Sequence, residues 1–168
     1  MALTLDQLNN LSEKEFTNLF GEIFEHSPWI AKIAAHMRPF SSFDIAFDTM
    51  KQIVVECGSE AQLTLIKEHP ELGKRIQMSQ SSVKEQQGAG LDSLTPEEYH
   101  IFSEANQAYM EKFRFPFIIA VSGKDKNDIL QAMKERLSSN PENEFQTALQ
   151  EIYKIAYIRF KGIIETYK

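Results

Sequence analysis

The chain has little of what marks a secreted, membrane-bound or nucleic-acid-binding protein. Cys57 is the only cysteine among 168 residues, so the chain cannot close an internal disulfide. No apolar run approaches the roughly 20 residues that a membrane-spanning helix needs. The 18 Lys and Arg are scattered among 24 Asp and Glu and form no basic stretch for a phosphate backbone. These scarcities predict a cytoplasmic protein with no membrane or nucleic-acid partner.

Sequence motifs for metal and nucleotide binding are also missing. No Cys/His pair stands at the spacing of zinc ligands, and no glycine-rich phosphate loop or nucleophile elbow occurs. What the chain does have is apolar material, because hydrophobic residues make up 42% of it and include 12 Phe. That length and composition suit one packed core, so we expect a single domain over residues 1–168 and no metal site.

Apolar residues recur with helical spacing over most of the chain. In a capping pair, a residue at a helix start and the third residue after it satisfy each other's backbone N–H groups. Such pairs begin at Ser12 and Thr95, and Ser59 with Gln62 is a possible third pair. Ser27 before a proline predicts another helix start. These signals predict an all-α fold, a compact bundle of about seven to nine helices.

Two stretches depart from this helical pattern. Residues 73–94 are rich in Ser, Gln and Gly, and we interpret them as an ordered loop with a short helical piece around "SVKEQ". The apolar "FPFIIAV" at 115–121 has a strand-like composition. A single strand has nothing to pair with in an all-α protein, so we predict a buried extended crossover there.

His69 stands directly before Pro70, in "KEHPELG". Proline disfavours the α conformation in the residue before it, so this histidine should lie at an exposed helix C-terminus. The negative end of the helix dipole stabilises a protonated imidazole. His69 is therefore either a simple helix cap or a proton carrier tuned by its position.

Arg159 falls on the apolar stripe of the last predicted helix, between Ala156 and Ile163. A cation in such a place must be paired or must face a polar pocket. One interpretation is a core salt bridge to an acidic side chain, or a long side chain that reaches the surface. The other is that its planar donor group holds a carboxylate or carbonyl of a ligand.

Glu85 lies in the polar stretch "SSVKEQQGAG". Two glycines follow it, where backbone amides can approach a ligand closely. The stretch can equally be a solvated surface loop. Ser82 and Glu85 also have the spacing of a helix-capping pair, so another interpretation is that they only start a short helix.

Six stretches, in order over nearly the whole chain, resemble one known family. They are "FGEIFEHSPWIAKIA" at 20–34, "RPF" at 38–40, "HPELG" at 69–73, "SSVKEQQGAGL" at 81–91, "KFRFPFIIAVSGK" at 112–124 and "IAYIRF" at 155–160. Each alone is a weak signal, whereas the ordered set is specific. The chain thus resembles the 2-oxo-4-hydroxy-4-carboxy-5-ureidoimidazoline (OHCU) decarboxylases of urate breakdown.

The resemblance implies an all-α, usually dimeric enzyme that needs no cofactor. Such enzymes act on a small molecule, the unstable product of urate oxidation and hydrolysis, and release (S)-allantoin and carbon dioxide. The family's proton donor falls on His69, and its other catalytic positions fall on Glu85 and Arg159. The implied substrate-binding positions are Pro70, Ser82, Gln86, Phe117, Ile118, Ile119, Ala120 and Val121, the last five through main-chain contacts.

One position departs from the family pattern. Many relatives have glycine where Arg114 stands in "KFRFPF". We therefore expect the local backbone at the start of the 115–121 stretch to differ from that of these relatives.

A non-catalytic alternative also fits the residues. A helical module could hold a small ureide in the same pocket for regulation without turning it over. Turnover separates the two functions, because a binding protein would show only stoichiometric stabilisation of its ligand.

Overall fold

The computed structural model describes residues 2–72 and 80–168, and within these ranges the chain forms nine α-helices and no β-strand. The helices are α1 Leu5–Asn10, α2 Glu13–Phe20, α3 Trp29–Ala35, α4 Phe43–Glu56, α5 Ser59–Glu68, α6 Gln80–Gly88, α7 Pro96–Phe113, α8 Lys126–Arg136 and α9 Pro141–Thr166. The predicted all-α fold is confirmed. Part of the predicted polar loop, residues 73–79, lies outside the described residues.

Reciprocal capping pairs begin four of the helices. Ser12 caps α2 and Thr95 caps α7, as the sequence predicts, and each side chain accepts the N–H of the third helical residue. The same arrangement starts α1 at Thr4 and α8 at Asp125. Each pair satisfies two of the backbone N–H groups that a helix start leaves without partners.

The predicted cap at Ser27 is wrong. Its hydroxyl donates to the backbone oxygen of Glu25 at 2.9 Å, and α3 starts behind Pro28 without a side-chain cap. The hydroxyl therefore holds the turn that precedes the helix instead of the helix start itself.

The possible cap made by Ser59 and Gln62 is also wrong. Ser59 is already the first residue of α5. The side-chain amide of Gln62 instead donates to the carbonyls of Val54 and Val55 at 2.9 and 3.2 Å. Gln62 thus satisfies carbonyls at the end of α4, which helix geometry leaves without intrahelical donors.

The chain divides into two compact units, and the division falls within α9. The first unit is 1–68 with 153–168, and the second unit is 69–152. Whether both belong to the one domain that the sequence predicts stays a prediction. No helix among the described residues has the length and apolar character that crossing a membrane demands.

The first unit has an aromatic core. Phe20 lies between Phe16 and Phe160, with ring centroids 4.9 and 5.2 Å away, and Phe47 packs against Phe160 at 5.6 Å. These rings come from α2, α4 and the end of α9. Their burial ties the end of α9 to helices from the start of the chain.

The second unit is built around Tyr109 of α7. Its ring lies 4.5 Å from that of Phe113 and 5.2 Å from that of Phe117. Residues 116–121 have no helix or strand, and all of them are buried. The prediction of a buried crossover is confirmed, and we call residues 117–121 the crossover segment below.

Arg114 ends α7 in the left-handed conformation, with φ of 66°. This region favours glycine, because a Cβ atom is strained there. The turn requires a conformation that glycine adopts without strain. This explains why many relatives have glycine where this chain has Arg114.

Candidate active site

His69 directly follows α5, so its predicted place at a helix end is confirmed. Its predicted exposure is wrong, because the residue is only 7% exposed and Pro70 beside it is half-buried. A buried imidazole at the carbonyl end of a helix is shielded from water and lies at the negative end of the helix dipole. That environment is more typical of a functional histidine than of a surface cap.

The helix α6 buries polar side chains. Ser82 and Gln86 are 5% and 7% exposed, and Glu85 is half-buried. These three positions are spaced to share one face of a helix. The surface-loop interpretation is therefore wrong, and Ser82 does not start the helix, because Gln80 already belongs to it.

The backbone of the crossover segment is fixed at two neighbouring peptide groups. The carbonyl of Ile118 accepts a hydrogen bond from Arg136 at 2.5 Å, and the N–H of Ala120 donates to Glu151 at 3.1 Å. Between them, Ile119 is 6% exposed, and no hydrogen bond within 2–72 and 80–168 engages its N–H or C=O. Buried peptide groups are nearly always paired, so Ile119 is well suited to bind a polar ligand through its backbone.

Sequence reasoning missed the polar residues that hold this segment. Glu144 and Glu151 are 1% and 8% exposed, and they lie on the face of α9 that also buries Ala148 and Ile152. A carboxylate on an apolar helix face is the same kind of signal that singled out Arg159. The same criterion, a charged residue on an apolar helix face, would have identified Glu144 and Glu151 from the sequence.

Arg159 is also buried, at 8% exposure, and it belongs to the first unit. Its guanidinium donates to the carbonyls of Glu22 and Ile23 at 3.1 and 3.4 Å. The carboxylate of Glu25, which is fully buried, lies 3.8 Å away. The salt-bridge interpretation is confirmed to this extent, and a ligand-binding role for Arg159 stays a prediction.

The two units divide the predicted site residues. His69, Glu85 and Arg159 do not fall in one unit, since the first two belong to the second unit and Arg159 to the first. All predicted substrate-binding positions belong to the second unit; they are Pro70, Ser82, Gln86, Phe117, Ile118, Ile119, Ala120 and Val121.

Other titratable groups fit structural roles. The Nε2 atoms of His36 and His100 lie at the surface, 2.7 and 3.1 Å from carboxylate oxygens of Glu13 and Glu104. Burial raises the pKa of the Cys57 thiol, so its reactive thiolate is disfavoured. Within the described ranges, no three His, Cys, Asp or Glu residues are grouped as metal ligands would be.

The fold and these residues define an all-α protein that buries a histidine and two neutral polar side chains. A profile of the OHCU decarboxylase family matches residues 9–161. The chain belongs to this family, as its motifs predict.

Relatives with known names extend this comparison. The chain is 50% identical, over 96% of its length, to the uric acid degradation bifunctional protein PucL of Bacillus subtilis, but it spans only 33% of that protein. It is 44% identical to the 2-oxo-4-hydroxy-4-carboxy-5-ureidoimidazoline decarboxylase of Haloferax volcanii, and the match covers 94% of each chain.

Two solved structures share the fold. One is a crystal structure of (S)-allantoin synthase, with a TM-score of 0.79 and 29% identity. That match covers 96% of this chain and about half, 54%, of the other. The second is an OHCU decarboxylase crystallised in the presence of (S)-allantoin, with a TM-score of 0.70, 24% identity, and coverage of 92% and 99%.

Proposed function

We propose that this protein decarboxylates OHCU to (S)-allantoin in urate breakdown. The observation that carries the proposal is the burial of His69 at the end of α5, in a chain that belongs to this family. The similar protein of Haloferax volcanii is named as an OHCU decarboxylase. The buried Ser82 and Gln86 support the proposal, because they offer polar contacts for a small polar molecule.

The substrate itself provides the electron sink for this reaction. Its reacting carbon bears a hydroxyl and a carboxylate and adjoins a ring carbon that is double-bonded to nitrogen. When the bond to the carboxylate breaks, its electron pair forms a C=C bond to the ring carbon, the C=N π pair moves onto the nitrogen, which takes up a proton from solvent, and carbon dioxide leaves. The chemistry therefore makes no demand for a separate cofactor as electron sink, and the protein has to position the substrate and transfer protons.

In this proposal, His69 moves a proton between the substrate's hydroxyl and its ring. An imidazole titrates near neutral pH, which suits transfer in both directions. Delivery of the proton to one face of the ring would set the chirality of the allantoin. Pro70, directly beside His69, would lie against the substrate.

The remaining site residues bind and stabilise the substrate. Glu85 accepts hydrogen bonds from N–H groups of the ring or ureido group, and Ser82 and Gln86 add neutral contacts. Arg159 holds substrate oxygens and offsets the negative charge that develops as the carboxylate leaves. The crossover segment contributes backbone groups, for which Ile119 is the best suited.

Product chirality tests this proposal directly. Urate is treated with urate oxidase and hydroxyisourate hydrolase, and near-ultraviolet circular dichroism follows the product with and without catalytic amounts of the protein. The proposal predicts optically active allantoin, formed at a rate proportional to protein concentration. Racemic product at the uncatalysed rate would contradict it, and stoichiometric retention of a ureide would favour the binding module instead.

The proposal includes a cytoplasmic homodimer. A single, half-buried cysteine with a free thiol is compatible with a reducing compartment. The dimer follows from the family resemblance. Light scattering should give twice the chain mass of 19.3 kDa, and a mass of one chain at micromolar concentration would contradict the dimer.

A further inference from the structure

Arg136, at the end of α8, makes two kinds of contact with the crossover segment. One guanidinium nitrogen donates to the carbonyl of Ile118 at 2.5 Å. The guanidinium carbon lies 4.3 Å from the centre of the Phe117 ring, in a cation–π arrangement. A single side chain therefore contacts both the backbone and a side chain of this segment.

Arg136 is in turn held by a buried acid. Its guanidinium donates to the carboxylate of Glu144, which is 1% exposed. The same carboxylate accepts a hydrogen bond from the hydroxyl of Tyr109 at 2.5 Å. Tyr109 also packs against Phe117. Residues of α7 and α9 therefore contact both Arg136 and the crossover segment. A guanidinium whose Nε and Nη1 groups both donate to fixed partners has little freedom to move.

Glu151 holds the segment from a second direction. Its carboxylate accepts the N–H of Ala120 at 3.1 Å, two residues after the carbonyl that Arg136 binds. The two contacts thus lie on either side of Ile119. With both neighbours fixed, the directions of the Ile119 N–H and C=O are fixed as well.

We propose that Arg136 and Glu151 are positioning residues, which fix the crossover segment so that the backbone of Ile119 binds the substrate. This inference rests on the proposed function. Neither residue touches the reacting atoms in this account, and Glu144 acts through Arg136. Substrate binding by fixed peptide groups requires this kind of support, because small misplacements weaken catalysis strongly.

The test uses two conservative substitutions and a matched control. Arg136→Lys keeps the charge but cannot reach the guanidinium's partners together, and Glu151→Gln keeps the shape but weakens the acceptor. Lys134→Gln is the control, because it removes an exposed charge from the same helix, α8. Far-ultraviolet circular dichroism and thermal unfolding identify any variant that fails to fold, in which case the other one decides.

Amide hydrogen exchange and steady-state kinetics provide the two readouts. In both positioning variants, we expect exchange at Ile118, Ile119 and Ala120 to accelerate about tenfold or more while most other amides keep their rates. We expect KM to rise by about tenfold, with a smaller change in kcat, since binding geometry is lost and not the proton donor. Lys134→Gln should change neither quantity.

The exchange rates and KM test the positioning role of Arg136 and Glu151, whereas turnover of the wild-type protein tests the proposed function. Unchanged exchange in both folded variants would overturn the inference, and so would accelerated exchange with KM within about twofold of wild type. A wild-type protein without turnover would contradict the proposed function instead. The exchange rates would then still decide whether these two residues fix the segment.

Discussion

At the scale of single residues, the meaning of a buried charge depends on the groups around it. The sequence singles out Arg159 because it interrupts an apolar stripe, and the structure places it beside the buried carboxylate of Glu25. The same pattern at Glu144 and Glu151 escaped notice, although their contacts hold the crossover segment. Periodicity can reveal a buried charge, but only the fold shows its partner.

The first prediction separates the structural and catalytic roles of Arg159. Arg159→Gln removes the cation 3.8 Å from the buried Glu25 carboxylate, which should lower the free energy of unfolding by about 3 kcal/mol. Adding Glu25→Gln should recover part of this loss, because the carboxylate that lost its neighbouring cation is then removed. Urea denaturation measures both values.

Measuring the activity of the same two variants separates a catalytic role of Arg159 from a structural one. If Arg159 stabilises the leaving carboxylate, the double variant should remain inactive even where stability returns. Recovery of turnover together with stability would assign Arg159 a structural role alone.

The second prediction concerns Tyr109 and alkaline pH. Burial, followed by the hydrogen bond to Glu144, raises the pKa of the Tyr109 hydroxyl far above its usual value. Above about pH 10 the unfolded chain loses this proton while the folded chain keeps it, so stability should fall by about 1.4 kcal/mol per pH unit from this group. Below that pH its contribution is constant.

Tyr109→Phe removes the titrating group and should flatten this alkaline slope relative to wild type. Urea denaturation at several pH values between about 9 and 11 measures the difference between the two proteins. Tyr153→Phe is a useful comparison, because burial raises that pKa as well. Parallel slopes for wild type and Tyr109→Phe would show that Tyr109 does not keep its proton.

At the scale of elements, helix starts could be predicted where the capping contacts are local. Ser12 and Thr95 each cap the turn that they begin. Ser27 and Gln62 have similar local patterns, but their hydrogen bonds go to a preceding turn and a preceding helix. Sequence spacing cannot distinguish a cap on the following helix from a hydrogen bond to a preceding turn or helix, because either partner satisfies the polar side chain.

The third prediction concerns the end of α7. Arg114 holds the left-handed conformation at φ of 66°, so Arg114→Gly should raise the free energy of unfolding by about 1 kcal/mol. Arg114→Ala is the matched control, because it removes the same side chain while keeping the Cβ atom. Equal stability of the two variants, measured by urea denaturation, would show that the turn stores no such strain.

At the scale of the whole molecule, the family motifs predict more than periodicity does. The fold class follows from helical spacing, and Pro70 predicts that His69 ends a helix. The burial of His69 could not be predicted, because helical spacing and the proline beside it locate a helix end but do not say how exposed that end is. The contacts of the crossover segment could not be predicted either, since Ile118 and Arg136 meet only through the packing of α8.

The most direct test of the central claim compares His69→Asn with the wild-type protein. Asparagine keeps a polar side chain of similar reach but cannot transfer a proton near neutral pH. The control is His100→Asn, which changes an exposed histidine on α7.

The measured quantity is the initial rate at which optically active allantoin forms, at equal protein concentration and with helical circular dichroism recorded for each variant. If His69 transfers the proton, His69→Asn should remain helical and lose at least about a hundredfold in rate, while His100→Asn should retain the wild-type rate. A folded His69→Asn variant that makes (S)-allantoin at the wild-type rate would show that His69 does not transfer the proton.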